Sequence, residues 1–243
     1  MSAGTATAAL LDAASDRYRD AGRFAWHFAR GKLGGDPAFR ALLRLGLLSG
    51  RTRILDLGCG QGLLATWLQA AHDCYVGKAP ESWPPQWPAP PQLRAYTGIE
   101  LNPREVQRAR IGLAHCGAQT TLLEGNICDT PFPAVDAVVI MDVLHYLDYP
   151  AQEAVLKRVH AALSPGGLLL TRIGDAGGGS GFLLSKWVDH IIMLFRGGHW
   201  QRLSCRTLSD WCTLLERLGF KVRSIPMSEG TPFANTLLVA EVR

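Results

Sequence analysis

Apolar residues along the chain fall into two kinds of pattern. Short continuous runs, such as 135–141 (VDAVVIM) and 168–173 (LLLTRI), have the length and composition of strands buried in a parallel sheet. Between such runs, apolar residues recur every three or four positions, as in 63–71 and 153–163, which is the spacing of one helix face. Strands that alternate with helices in this way predict an α/β fold around a mostly parallel sheet.

The first 50 residues are predicted to be helical. Apolar or small residues at 11, 14, 18, 21, 25 and 28 predict one amphipathic helix after a loose tail at 1–9. Gly34-Gly35 ends this pattern, and Asp36-Pro37 predicts a second helix, because a capping acid and a proline at the first position favour a helix start. Two interpretations remain open: the helices only cover the sheet, or their aromatic side chains form a lid over a substrate.

The stretch 53–62 (RILDLGCGQG) carries the strongest local signal. A short apolar strand leads into glycines at 58, 60 and 62, and a helical stripe follows directly. This layout brings bare backbone close to a nucleotide at the carboxyl end of a parallel sheet, and glycine permits positive φ with no Cβ in the way. A dinucleotide fold would show G-x-G-x-x-G, so the spacing disfavours a NAD-type oxidoreductase.

The sequence D-L-G-C-G-Q-G at 56–62 resembles the first motif of the class I S-adenosylmethionine (SAM) dependent methyltransferases. Three further stretches support the resemblance. The strand 94–100 ends in E-L-N-P, which is similar to the second motif, whose acid binds the ribose hydroxyls. L-E-G-N-I-C-D-T-P-F at 123–132 is similar to the third, adenine-binding motif, but has Asn126 where Asp is usual. D-V-L-H-Y-L at 142–147 looks like the fourth motif, beside the methyl donor.

This resemblance implies the cofactor, the fold and a set of contacts. The cofactor would be SAM, with S-adenosylhomocysteine (SAH) as product. The fold would be a Rossmann-like sheet of seven strands, mostly parallel with an antiparallel C-terminal strand, preceded by an N-terminal helical lid. The residues assigned to the cofactor are Asp56, Gly58, Cys59, Gly60, Gly62, Glu100, Leu101, Asn126, Ile127, Asp142 and Val143.

We expect an N-terminal helical extension at 1–48 and a SAM-binding domain at 49–243, with two insertions. The first, 74–92, is dense in prolines, so it cannot be helix or central strand. It explains why Glu100 lies farther from Gly62 than the roughly 20 residues usual in such folds, and we expect Trp83 or Trp87 to be docked on the domain. The second, 176–205, is predicted to be a helical lid with an apolar helix at 182–195.

Methyl transfer is an in-line displacement, so the protein mainly aligns the reactants, and an oxygen nucleophile also benefits from a base. His145, within the fourth motif, is the candidate catalytic base; the alternative is a hydrogen-bonded pocket wall. Weaker candidates contact the substrate, from the lid segments or near the strand ends. They are Tyr18, His27, Tyr146, Arg172 and His199.

Aromatic and apolar residues dominate both predicted lid segments, which favours a small aromatic or polyketide/acyl-type acceptor, methylated on oxygen or ring carbon. The flanks resemble bacterial methyltransferases of secondary metabolism. A substrate carried on an acyl carrier protein would suit the mildly basic chain, since such carriers are acidic. The alternatives are an RNA methyltransferase and a catalytically silent SAM-binding protein that acts as a regulator or partner.

Composition and charge exclude several other classes of protein. A net charge of +4 and a pI of 8.8 do not amount to a nucleic-acid signature. The six cysteines are scattered without a C-x-x-C pair, so neither a metal site nor a disulfide framework is predicted. The most apolar stretch, 182–195, is too short for a membrane span of roughly 20 residues, and no signal peptide is visible. We expect a cytoplasmic protein of open oligomeric state.

Overall fold

A computed structural model describes residues 3–77, 83–174, 203–227 and 235–243. Its centre is a seven-stranded sheet with the order β3-β2-β1-β4-β5-β7-β6. The strands are β1 (Arg53–Leu57), β2 (Ala95–Glu100), β3 (Gln119–Glu124), β4 (Val135–Met141), β5 (Leu163–Gly174), β6 (Phe220–Pro226) and β7 (Asn235–Val242).

The strand pairings have the predicted directions. β1 pairs with β2, and β2 with β3, in parallel registers, so the carboxyl ends of these three strands lie side by side. β7 is antiparallel to both β5 and β6, which closes the sheet with an antiparallel C-terminal pair. The predicted Rossmann-like sheet of seven strands is confirmed.

Seven α-helices are described around these strands. They are α1 (Ala3–Asp16), α2 (Arg23–Gly35), α3 (Pro37–Arg44), α4 (Leu63–Val76), α5 (Pro103–Gly112), α6 (Tyr149–Ala162) and α7 (Leu208–Arg217). α4 is buried along most of its first two turns, as expected of a helix that follows a central strand and packs on the sheet. α6 begins four residues before the predicted position, because Asp148 caps it through the Ala151 amide at 2.9 Å.

The chain divides into two compact units, Met1–Ala137 and Val138–Arg243. The first holds the N-terminal helices, β1 to β3 and the start of β4. The second holds the rest of β4, α6, β5, α7 and the antiparallel pair. The predicted boundary between 48 and 49 stays a prediction. Most of the predicted lid insertion 176–205, including its helix at 182–195, lies outside the described residues.

The N-terminal segment differs from its prediction in two ways. The expected tail is largely helical, since α1 begins at Ala3 in a stretch of alanines, the residue with the strongest helix propensity. The expected single helix is in fact two, because α1 ends at Asp16, a 3₁₀ turn follows at Arg19–Ala21, and Gly22, with a φ of +101°, separates that turn from α2. The prediction of one continuous helix was therefore wrong. The start of α3 is as predicted, with the Asp36 side chain accepting from the Ala38 amide at 3.0 Å.

The Pro/Trp-rich insertion is docked on the first unit. Trp83 and Trp87 are both buried, and their rings meet edge to face at 5.6 Å. The indole of Trp83 donates to the Trp87 carbonyl and its ring contacts Tyr75. The Ser49 hydroxyl donates to the Ala89 carbonyl at 2.7 Å. The predicted docking of this loop on its own domain is confirmed.

Among the residues that the structure describes, no helix is long and apolar enough to cross a membrane.

We predict that Trp83→Ala destabilises the protein by about 3 kcal/mol or more, because deletion of a buried indole leaves a cavity and an unpaired Trp87 carbonyl. Urea unfolding followed by circular dichroism measures the change, with Gln86→Ala as control, since Gln86 is exposed in the same loop. Equal stability of the two variants would mean that the loop contributes nothing to the fold.

Candidate cofactor and catalytic site

The glycine turn after β1 adopts the conformation that its sequence requires. Gly58, Gly60 and Gly62 all have positive φ, at 75°, 54° and 77°. A Cβ at Gly62 would lie 2.9 Å from a Leu113 methyl, so this glycine also allows close packing on α5. A Cβ at Gly60 would meet no atom of the described residues within 4 Å. Gly60 therefore leaves backbone uncovered on the side where a ligand can approach.

Glu100 ends β2 and binds the glycine turn directly. Its Oε2 accepts from the Gly60 amide at 2.9 Å, and its Oε1 accepts from the Asn102 amide at 2.9 Å. The Gly58 amide also donates to the Ile99 carbonyl at 2.8 Å, so the turn is fastened to the end of the neighbouring strand. Each carboxylate oxygen keeps a further lone pair. The acid can thus hold the turn and still accept from a pair of ribose hydroxyls.

Asp56 lies below the turn and faces the protein interior. Its side chain is buried, and its Oδ2 accepts from the Tyr96 hydroxyl at 2.7 Å. Burial raises the pKa of Asp56 to about 7, the Tyr96 hydrogen bond opposes the shift, and the charge of Glu100 adds to it. Burial also raises the pKa of the neighbouring Cys59 thiol, with the two carboxylates adding to the effect. Cys59 is therefore an unreactive thiol in this site.

Asn126 follows β3 and organises its own loop. The Asn126 Oδ1 accepts from the Cys128 amide at 2.9 Å, and its carbonyl accepts from the amides of Asp129 and Thr130. Ile127 is buried beneath this turn, while Asn126 itself is exposed. Leu101, after Glu100, is 69 % exposed. An exposed leucine and an amide beside an exposed turn supply the apolar and polar contacts that an adenine ring needs.

These residues of the first unit fit SAM. The uncovered backbone at Gly60 gives room for close approach, and Glu100 has acceptor capacity for the ribose. Leu101 and the Asn126 turn provide surfaces for the base. Glu100 lies near enough to Asp56 to raise the pKa of that buried acid, and the Glu100 carboxylate beside the turn favours a cationic ligand over a phosphate. Their assignment to the cofactor remains a prediction.

In the second unit, Asp142 and Arg172 form a bidentate ion pair. The Arg172 Nε donates to Asp142 Oδ1 at 2.7 Å, and its Nη2 donates to Asp142 Oδ2. Arg172 is only 4 % exposed, and a buried guanidinium of this kind requires an anionic partner. Asp142 has a φ of +57°, and no other non-glycine residue in the described ranges has a positive φ. Left-handed backbone of this kind concentrates at functional sites.

His145 follows three residues after Asp142, on the 3₁₀ turn Leu144–Tyr146. Burial lowers the pKa of His145 below its ordinary 6.5, the Asp142 charge opposes this and Arg172 reinforces it. The imidazole is therefore neutral at pH 7 and can accept a proton. Its ring lies 4.2 Å from the ring of Tyr146, and both belong to the predicted site.

Gln152 of α6 holds the His145 turn in place. Its Nε2 donates to the carbonyls of Leu144, Leu147 and Ser204, and its Oε1 accepts from the Arg206 guanidinium at 2.8 Å. The Ser204 amide donates to the His145 carbonyl at 2.9 Å. A small cavity adjoins this turn, lined by Leu144, His145, Arg172, Ile173, Gly174, Cys205 and Trp211.

The predicted substrate residues are placed differently from one another. Arg172 and Tyr146 lie around Asp142 and His145 in the second unit. His27 is exposed on α2, with its ring 4.5 Å from Trp26. Tyr18 is wholly buried, and its hydroxyl donates to the Gln61 carbonyl. His199 lies outside the described residues, and all five assignments remain predictions.

Sequence reasoning missed several residues that shape the site. Tyr96 binds Asp56 only because the parallel register sets β2 beside β1. Gln152 was an ordinary polar position on a helix, and the pairing of Asp142 with Arg172 joins the residue after β4 to a residue of β5. The one available signal was the polarity of these side chains within otherwise apolar runs.

Comparison with known proteins decides the family. A family model described as a methyltransferase domain matches residues 25–225. The chain is similar to a carboxy-S-adenosyl-L-methionine synthase of Chromohalobacter salexigens, with 28% identity over 55% of this chain and 46% of that protein. It is also similar to the tetracenomycin polyketide synthesis 8-O-methyl transferase of Streptomyces glaucescens, with 29% identity over 48% of this chain and 29% of that protein.

The chain belongs to the class I SAM-dependent methyltransferases. The predicted family and its cofactor are thus confirmed. A solved O-methyltransferase family protein of Burkholderia thailandensis shares the fold, with a TM-score of 0.63 and 20% identity over 88% of this chain and 57% of that one. The methyltransferase chain spans less than half the length of these two curated relatives.

We predict that the stability of the methyltransferase falls as pH rises from about 4 to 7, relative to an Asp56→Asn variant. In the folded state Asp56 keeps its proton up to about pH 7, whereas an ordinary aspartate loses it near 3.8. The raised pKa of Asp56 therefore stabilises the folded state fully at a pH below the pKa of the unfolded chain. This stabilisation is lost as the pH rises through the pKa of the folded state. Urea unfolding at pH 5 and pH 8 tests this, with exposed Asp20→Asn as control; parallel curves would contradict it.

We predict that Glu100→Ala weakens SAH binding by more than tenfold, because it removes the ribose acceptor and releases the Gly60 amide. The matched control is Glu124→Ala, since Glu124 is the register partner of Glu100 at the end of β3 and is exposed. Calorimetric titration with SAH measures both. Equal affinity of the two variants would remove Glu100 from the cofactor site.

Proposed function

We infer that this methyltransferase moves a methyl group from SAM to an oxygen or ring carbon of a small aromatic or polyketide/acyl-type molecule. The observation that carries the proposal is the Glu100 carboxylate bound to the Gly60 amide beside three left-handed glycines. This is a cofactor-binding turn built at the carboxyl end of parallel strands. Its residues Gly58, Gly60, Glu100, Leu101 and Asn126 would hold the cofactor.

The acceptor class has two lines of support. One similar protein is described as a polyketide O-methyl transferase. In addition, α2 carries Phe24 and Phe28 with stacked rings, 64% and 36% exposed, next to the guanidinium of Arg108 at 4.7 Å. Exposed aromatic rings beside a cation favour a flat, conjugated acceptor over an aliphatic one. An acyl carrier protein as bearer of the substrate is supported only by the net charge of +4.

The chemistry needs little from the side chains. Bound SAM supplies a methyl group activated by its sulfonium. Glu100 and the glycine turn would hold the donor in place, and the Glu100 carboxylate beside the turn would favour a cation. His145, kept neutral by burial, would accept the proton of an acceptor hydroxyl while the hydroxyl oxygen takes the methyl group and the donor leaves as SAH. The Asp142–Arg172 pair and Gln152 fix the backbone on which His145 stands.

The first test is calorimetric titration with SAH, with NADH as control. Micromolar binding of SAH alone supports the proposal, and binding of NADH or of neither contradicts it. Transfer of labelled methyl from SAM to phenols and polyketide-type aromatics then tests the acceptor class. An RNA methyltransferase would instead bind RNA with a steep salt dependence. Binding of SAH without transfer to any acceptor would support the silent SAM-binding alternative.

We predict that His145→Ala lowers turnover by about 100-fold or more while SAH affinity stays within twofold, as expected for loss of a general base. Exposed His115→Ala is the control and should keep full activity. Because the pKa of His145 is lowered, wild-type turnover should hold at pH 7 and decline only on acidification below 6.5. Full turnover in the variant would reduce His145 to a pocket wall.

A further inference from the structure

Tyr18 connects the N-terminal helices to the glycine turn. It lies just after α1 and is completely buried, and its hydroxyl donates to the Gln61 carbonyl at 2.7 Å. Gln61 stands between Gly60 and Gly62, so the bond reaches the backbone of the turn itself. The Thr66 hydroxyl lies a further 3.3 Å from the Tyr18 oxygen, in the first turn of α4.

A second bond runs in the opposite direction. The Gln61 Nε2 donates to the Ala25 carbonyl in α2 at 3.0 Å. The Gln61 Oε1 is buried and has no hydrogen-bond partner among the residues that the structure describes. A buried acceptor of this kind costs stability and offsets part of what the Nε2 hydrogen bond contributes.

The ring of Tyr18 has little freedom in its site. A Cβ at Gly112, the last residue of α5, would collide with three ring atoms of Tyr18. Gly112 is not at positive φ, so its lack of a side chain serves this close approach and not a turn. The ring is thus held against α5, and its hydroxyl is aimed at the Gln61 carbonyl.

We propose that Tyr18 is a positioning residue for the cofactor, which holds the glycine turn in its binding conformation through the Gln61 backbone. The proposal rests on the function inferred above. Glycines lose more conformational freedom than other residues when they are ordered. A turn that is already ordered loses less conformational entropy when its ligand binds. The N-terminal helices are then part of the cofactor site, whether or not they also cover a substrate.

The test is SAH titration of the full chain as wild type, Tyr18→Phe and Ser49→Ala. Tyr18→Phe keeps the ring and removes the hydroxyl. Ser49→Ala removes a hydroxyl-to-carbonyl bond of the same 2.7 Å length, in the same unit but on the Pro/Trp-rich loop. We expect Tyr18→Phe to weaken SAH binding about fivefold or more and Ser49→Ala to leave it within twofold. With substrate, KM for SAM should rise while kcat at saturation is kept.

Gly112→Ala provides an independent variant. Alanine normally stabilises a helix relative to glycine, but here its methyl must displace the Tyr18 ring, so SAH affinity should fall as in Tyr18→Phe. Hydrogen exchange of the amides at 58–62 should be faster in Tyr18→Phe than in Ser49→Ala. If wild type does not bind SAH, the proposed function fails. If wild type binds and Tyr18→Phe binds equally well, this inference is overturned, whatever the variant does to the melting temperature.

Discussion

The left-handed glycine turn at 58–62 is the constraint on which the cofactor side of this methyltransferase depends. Its three glycines lose much conformational entropy when they are ordered, and hydrogen bonds from neighbouring elements hold them in place. The Ile99 carbonyl and the Glu100 carboxylate fasten the turn to β2, and Tyr18 reaches it from the N-terminal helices. The parallel register of β1 and β2 makes the contacts from Ile99 and Glu100 possible, because the carboxyl ends of both strands lie side by side.

Charge is arranged differently in the two units. In the first, burial and the charge of Glu100 raise the pKa of Asp56, while the Glu100 carboxylate is held by the amides of Gly60 and Asn102. In the second, the carboxylate of Asp142 already has its cation in Arg172. Burial lowers the pKa of His145, Asp142 opposes this shift and Arg172 reinforces it, so the imidazole is neutral at pH 7 and able to act as a base.

The local motifs were sufficient to predict the sheet, the glycine conformation and the acid at the end of β2, since each depends on residues adjacent in sequence. Contacts between distant residues could not be predicted. Tyr96 meets Asp56 only through strand register, and Tyr18 meets Gln61 only because α1 ends at Asp16, two residues before it. The apolar stripe at 11–28 runs through the break between α1 and α2, and periodicity alone gives no sign that α1 ends at Asp16.

The Pro/Trp-rich loop enters the sheet at the opposite end of β1 and β2 from the glycine turn. The loop leads into the start of β2, where the Arg94 and Ala95 amides bind the Thr52 carbonyl just before β1. The glycine turn lies at the other end of these same strands. The length of this loop therefore sets the distance in sequence from the glycines to the acid, whereas the register of β1 and β2 sets their distance in space.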